Sequence, residues 1–187
     1  MRAFIAVELP INVRDAVVSV QRALATTGAD VKWVEADNLH VTMRFLGEIT
    51  EVQRQAIERI LKKAAGHTSP IQVGLSHIGA FPSSSSPRVI WVGIGQGSET
   101  LTRLAGEVEE GLAGLKMQKE DREFVAHVTL GRVRSPKNRA QLATRLKEVG
   151  WNPPAPFRIE RVTLFQSTLG GAGPVYTALG RFPLTAA

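Results

Sequence analysis

The chain has 187 residues, 43% of them hydrophobic and 21% charged, a length and balance that suit one packed domain or two small lobes sharing a core and exclude a disordered chain. With no cysteine it can hold no disulfide, thiolate metal site or cysteine nucleophile, and it suits a reducing cytoplasm. Its 23 basic against 17 acidic side chains leave a net charge of +6, which favours an anionic partner, nucleic acid or a phosphorylated small molecule.

The opening MRAFIAVELP is too short and too interrupted, by Glu8 and Pro10, for a secretory signal, and RAFIAVEL reads as a strand. INVRDAVVSVQRALA, residues 11–25, places Val13, Val17, Val20 and Leu24 on one helical stripe with Asn12 as the expected N-cap. VKWVEA and LHVTMRFL follow as strands. The helix EVQRQAIERILKKAA is announced by a capping box of Thr50 and Gln53. IQVGLSHI and RVIWVGI are strands joined through FPSSSSP, residues 81–87, a hairpin tip.

Residues 98–115 form a third amphipathic helix through Leu101, Leu104, Val108 and Leu112, and EFVAHVTLGRV a further strand. SPKNRAQLATRLKEVG is expected as a helix with Ser135 at the N-cap, Pro136 in the first helical position and Gly150 just past the end. FRIERVTLFQS and PVYTALGRF close the chain as strands. Four helices with one apolar stripe each should lie on sheets, and no stretch approaches a membrane span, so no membrane partner is expected.

The order helix, HVT strand, helix, hairpin occurs twice. The two histidines are 127 − 40 = 87 residues apart, the following helix caps 135 − 50 = 85, and the hairpins 157 − 71 = 86. Such constant offsets imply an internal duplication: an α+β fold of two pseudo-symmetric lobes, each a mostly antiparallel sheet with helices outside, with a cleft between them. We therefore expect residues 1–187 to form a single domain.

On a strand, His40 and Thr42 share a face, as do His127 and Thr129. Symmetry would turn both pairs toward one cleft. Two imidazoles there suit in-line displacement at phosphorus, one as base on the attacking oxygen and one as acid on the leaving oxygen. The threonine hydroxyls can bind non-bridging oxygens, and Arg132 can neutralise the charge that builds on them. Strict alternation would turn Arg132 away from His127, so it requires a twist or strand end. Arg122, Arg134 and Arg139 add positive charge nearby. Each histidine could instead be a satisfied core residue, but two at matched places favour a site. One ligand per strand, with no carboxylate in either triplet, makes a poor metal set. His67 and His77 receive no role.

These residues resemble the two-histidine (2H) phosphoesterases, specifically the RNA 2',3'-cyclic phosphodiesterases also called 2'-5' RNA ligases. The resemblance rests on RAFIAVELP, KWVEADNLHVTMRFLG, GAFPSSSSPRVIWVGI, AHVTLGR and VTLFQSTLGGAGPVYTALGRFPL, which run in the family's order. It implies metal-independent, cofactor-free hydrolysis of a ribose 2',3'-cyclic phosphate to a 2'-phosphomonoester. His40 would then protonate the 3' leaving oxygen and His127 activate water, roles that the residues alone leave exchangeable. Thr42, Thr129 and Arg132 would contact phosphate, and Phe45 would lie beside the terminal base, although FLG also suits a core aromatic. Expected partners are RNA ends or nucleotide 2',3'-cyclic phosphates, bound by a monomer. Ala126 departs from the family, which often has proline before the second histidine. Reverse ligation, a related esterase acting on small cyclic phosphates or 2'-5' linked oligonucleotides, and a non-enzymatic RNA-end binder stay open.

Overall fold

The computed structural model describes all residues from 1 to 187. The elements in chain order are β1 (Arg2–Glu8), α1 (Ile11–Ala25), β2 (Val31–Trp33), β3 (His40–Glu48), α2 (Glu51–Gly66), β4 (Ile71–Val73), β5 (Leu75–Ser83) and β6 (Ser86–Ile94). Then come α3 (Ser98–Leu112), β7 (His127–Val133), α4 (Arg139–Glu148), β8 (Phe157–Ile159), β9 (Arg161–Gly170) and β10 (Gly173–Pro183).

Seven strands run in the order β10-β9-β1-β3-β7-β6-β5, with β2 also paired to β7, and every pairing is antiparallel. The sheet divides at its middle, where β3 meets β7 with Val41 opposite Val128. On one side β10, β9, β1 and β3 form the first lobe, and on the other β7, β6, β5 and β2 form the second. A small sheet, β4 with β8, sets Ile71 opposite Ile159 and Val73 opposite Phe157, which repeats the same symmetry.

Neither lobe is built from one half of the chain. From the first half, α1 packs on β7 and β5 pairs with β6, both in the second lobe. From the second half, β9 pairs with β1, and α3 packs on β3, both in the first. The two halves therefore interlock, and separating them would strip apolar surface from both lobes. The buried face carries Val41, Met43, Val128 and Leu130, each at most 5% exposed. It continues through Ile5, Leu61, Leu104 and Leu142 as one core.

Local chemistry explains where several elements start. Thr50 accepts from the Gln53 amide while Gln53 Oε1 accepts from the Thr50 amide, the reciprocal box expected of that sequence. Asn12, in contrast, does not cap α1. Pro10 does, with an extended backbone, and its carbonyl accepts from Val13 and Arg14. Nor does Ser135 cap α4. Residues 135–138 form turns, the Ser135 hydroxyl accepts from Lys137, and the helix begins after Asn138, whose φ of 51° is left-handed. Asn138 spends its side chain on the Thr27 carbonyl, tying α4 to the end of α1. Two strands expected to be continuous are split, at Gly74 and at Glu160, because each must leave the β4–β8 sheet for the main one. The strand expected from Glu123 begins only at His127.

Candidate active site

Both HVT strands present the same arrangement to the face opposite the helices. His40 Nδ1 donates to the Asn38 carbonyl at 2.6 Å, and His127 Nδ1 donates to the Val125 carbonyl at 2.6 Å. A carbonyl can only accept, so each Nδ1 carries its proton and each Nε2 is free to take or give one. His40 Nε2 lies 2.8 Å from Thr42 Oγ1, which donates to it when the imidazole is neutral. With Val41 opposite Val128, the antiparallel register sets His40 across from Thr129 and Thr42 across from His127, all four on one face.

The third member of each motif reaches this face through a β-bulge. In β7, Thr129 pairs with Trp91 and Gly131 with Ile90, so Leu130 is the extra residue. The bulge restores Arg132, opposite Val89, to the face of His127 and Thr129, which strict alternation forbids. In β3 the pairing passes from Ala6–Thr42 to Ile5–Arg44, so Met43 is extra and Phe45, opposite Phe4, comes to the face of His40. Phe45 and Arg132 thus occupy equivalent places. Phe45 is 54% exposed, which fits a contact surface better than the core position that FLG also allowed.

Residues distant in sequence complete the first lobe's wall. The Phe4 ring lies 5.0 Å from His40 and 5.3 Å, stacked, from Phe165; Tyr176 meets His40 edge-on at 5.5 Å. Phe4, Phe165 and Tyr176 carry no motif, and strand alternation in RAFIAVEL, which puts Phe4, Ala6 and Glu8 on one face, was the available signal. Around His127 the wall is thinner: Phe81 lies edge-on at 5.5 Å and packs on Trp91. Trp91 lies over Gly79, where an added Cβ would meet the indole at 2.5 Å. His77 stacks edge-on against that indole, a packing role.

Burial is what sets the electrostatics. Desolvation holds the His40 imidazole below its ordinary pKa; the Asn38 carbonyl works the other way, and a charge on His127 lowers it further. The two imidazoles therefore feel each other across the seam. Burial also raises the Tyr176 hydroxyl, opposed by the charges of Arg132 and Arg2. Of the remaining arginines, Arg134 pairs with Asp30, while Arg122 and Arg139 form no ion pair.

The two lobes thus meet along a pair of histidine-bearing strands, with both HVT motifs on one face of the sheet and each Nδ1 held on a carbonyl. The chain belongs to the 2'-5' RNA ligase superfamily, whose family model matches residues 10–171. It is 34% identical over 184 residues to the RNA 2',3'-cyclic phosphodiesterase of Methanothermobacter thermautotrophicus, covering 98% of this chain and 99% of that one. To the RNA 2',3'-cyclic phosphodiesterase of Methanocaldococcus jannaschii it is 35% identical, covering 96% and 98%. The crystal structure of TT0787 of Thermus thermophilus superposes with a TM-score of 0.82 at 30% identity, covering 98% of each chain. That of E. coli LigT complexed with 3'-AMP superposes at 0.78 with 27% identity, covering 99% and 98%.

Proposed function

We propose that this protein hydrolyses the 2',3'-cyclic phosphate at an RNA end to a 2'-phosphomonoester without a metal ion, using His40 and His127 as its acid and base. The carrying observation is that both Nδ1 atoms are pinned on carbonyls, which leaves two Nε2 atoms on one face of a two-lobed cleft. The names of the relatives support the substrate class.

In this reading His127 Nε2 takes a proton from water as it attacks phosphorus, and His40 Nε2 gives one to the departing 3' oxygen. The free protein holds His40 neutral by burial, and the negatively charged substrate is what lets it take up the proton it must deliver. Thr42 and Thr129 donate to the non-bridging oxygens, Arg132 balances their growing charge, and Phe45 carries the terminal base. We read residues 1–187 as one domain derived by duplication of a unit holding one HxT strand. The protein acts on RNA ends or nucleotide cyclic phosphates as a monomer in the cytoplasm.

The test is incubation in EDTA with an RNA oligonucleotide ending in a 2',3'-cyclic phosphate. The parent should produce a 2'-phosphate, and His40→Ala and His127→Ala should each lose about 10²- to 10⁴-fold in rate. Activity that disappears in EDTA, or survives in either variant, would overturn the two-histidine reading. Binding of the oligonucleotide with no conversion would leave a recognition module.

A further inference from the structure

A pocket of about 170 Å³ opens beside His40, lined by Phe165, Tyr176, Arg14 and Arg181. Glu8, the residue of β1 opposite His40, lines it too. Glu8 accepts from the Thr163 hydroxyl at 2.9 Å, from Arg161 Nε at 3.3 Å and from Arg181 Nε at 3.5 Å. Burial works to raise the Glu8 carboxyl, but these donors and the two guanidinium charges outweigh it and hold the group below its ordinary value, so it stays ionised.

One carboxylate therefore fixes two guanidinium groups through their Nε atoms. Each keeps its two terminal nitrogens for another acceptor. Arg14 is held similarly: its Nε donates to the Leu9 carbonyl and one terminal nitrogen reaches the fully exposed Asp37 at 3.4 Å. The pocket's own lining is balanced, Arg14 and Arg181 against Glu8 and Asp37; Arg161, which donates to the same Glu8 oxygen from the adjoining pocket, leaves this cluster with one positive charge in excess. That surplus matches the single charge of a phosphodiester. Guanidinium forks oriented in this way are the geometry that recognises phosphate oxygens.

Position gives this chemistry its meaning. Glu8 lies one strand from His40, about 5 Å across the sheet, a step comparable to that from one phosphate to the next along an RNA chain. Tyr176 and His40 belong to both the pocket and the candidate active site, so the two are continuous. We propose that this pocket is a second phosphate subsite, taking the phosphodiester on the 5' side of the terminal nucleotide, so that the protein selects RNA ends over isolated cyclic nucleotides. The inference rests on the proposed cyclic phosphodiesterase activity and adds to it a measure of chain length.

The experiment compares kcat/KM for three substrates: adenosine 2',3'-cyclic phosphate, its 5'-phosphorylated form, and the dinucleotide ApA with a 2',3'-cyclic end. Both substrates with a 5' phosphate should exceed the first by roughly ten-fold, the value of one charge-assisted hydrogen bond. Arg181→Ala and Arg14→Ala should each bring that ratio toward one, with hydrolysis of the bare nucleotide unchanged, and Arg181→Lys should keep part of it. The ratio is taken within one preparation, so a variant that folds poorly still reports. If none of the three substrates is hydrolysed, the proposed activity itself fails. If they are hydrolysed and the ratio is one, or unchanged in both alanine variants, the subsite is wrong. A gain confined to the dinucleotide would also overturn it, because the pocket would then read the second nucleoside and not the phosphate.

Discussion

His40 and His127 are held by the same hydrogen bond to the carbonyl two residues earlier, yet they live in different surroundings. His40 is enclosed by Phe4, Tyr176 and the Thr42 hydroxyl, and burial holds it neutral. His127 meets an aromatic edge only at Phe81 and follows a stretch, residues 116–126, that contains no helix or strand. The same divergence runs along the bulges. Where β3 has Arg44, β7 has Gly131, and an added Cβ there would meet Val31 at 2.7 Å and Trp33 at 2.9 Å. Where β3 offers Phe45 to the cleft, β7 offers Arg132. A repeated motif can thus keep its backbone and its imidazole geometry while one copy turns an aromatic ring and the other a guanidinium to the same face.

The largest effect should come from removing both histidines. If they act on one reaction as a pair, the His40→Ala, His127→Ala double variant should be little slower than either single one, because the first loss already disables the concerted proton transfer. Multiplying losses in single-turnover assays would mean that the two copies work independently.

A smaller effect tests how His127 is held. Arg44 is only 10% exposed and donates from Nε to Glu109 of α3 at 2.6 Å. It also donates to Glu120 at 3.1 Å and to the Gln118 carbonyl, and so pins the segment that leads to Val125 and His127. The two lobes share a short seam, and this one side chain adds a cross-link between β3 and the entry to β7. Arg44→Ala should cost about 1–3 kcal/mol of stability and lower kcat roughly ten-fold through a misplaced His127. It should also speed tryptic cleavage after Lys116, Lys119 and Arg122. Arg44→Lys, which keeps one contact but not the fork, should fall between. Unchanged cleavage would show that the segment is held by other means.

Much of this was legible in the chain. The four helices, the capping box at Thr50, the serine hairpin and the paired HVT strands follow from period, cap chemistry and spacing. What escaped depends on contacts between distant segments. Nothing in VTLFQS says that Phe165 will stack on Phe4, or that β9 will cross to the lobe of the other half. The conflict over Arg132 was visible as a broken alternation, and its resolution by a bulge at Leu130 was not, because a bulge is read from the pairing of two strands. Asn12 and Ser135 were good capping residues by type. A proline carbonyl and an αL asparagine took those roles, since the chain enters each helix from a direction that residue preference does not record.

The smallest effect sharpens the comparison most, because it reads the His40 environment alone. As pH falls, the unfolded chain protonates His40 at its ordinary value before the folded protein does, so stability drops between that value and the lowered folded one and is level below it. An anion in the cleft reverses the burden by supplying the missing countercharge and raising the folded pKa. Sulfate, which does not titrate here, should therefore bind with uptake of a fraction of a proton at about pH 6.5, and more weakly as pH rises. Calorimetry in two buffers of different ionisation enthalpy measures that fraction. In His40→Ala it should fall sharply, and its loss in His127→Ala instead would assign the sensitive imidazole to the more open of the two environments. No uptake in the parent would mean that the anion does not reach His40, and the order of acid and base would have to be drawn from His127 alone.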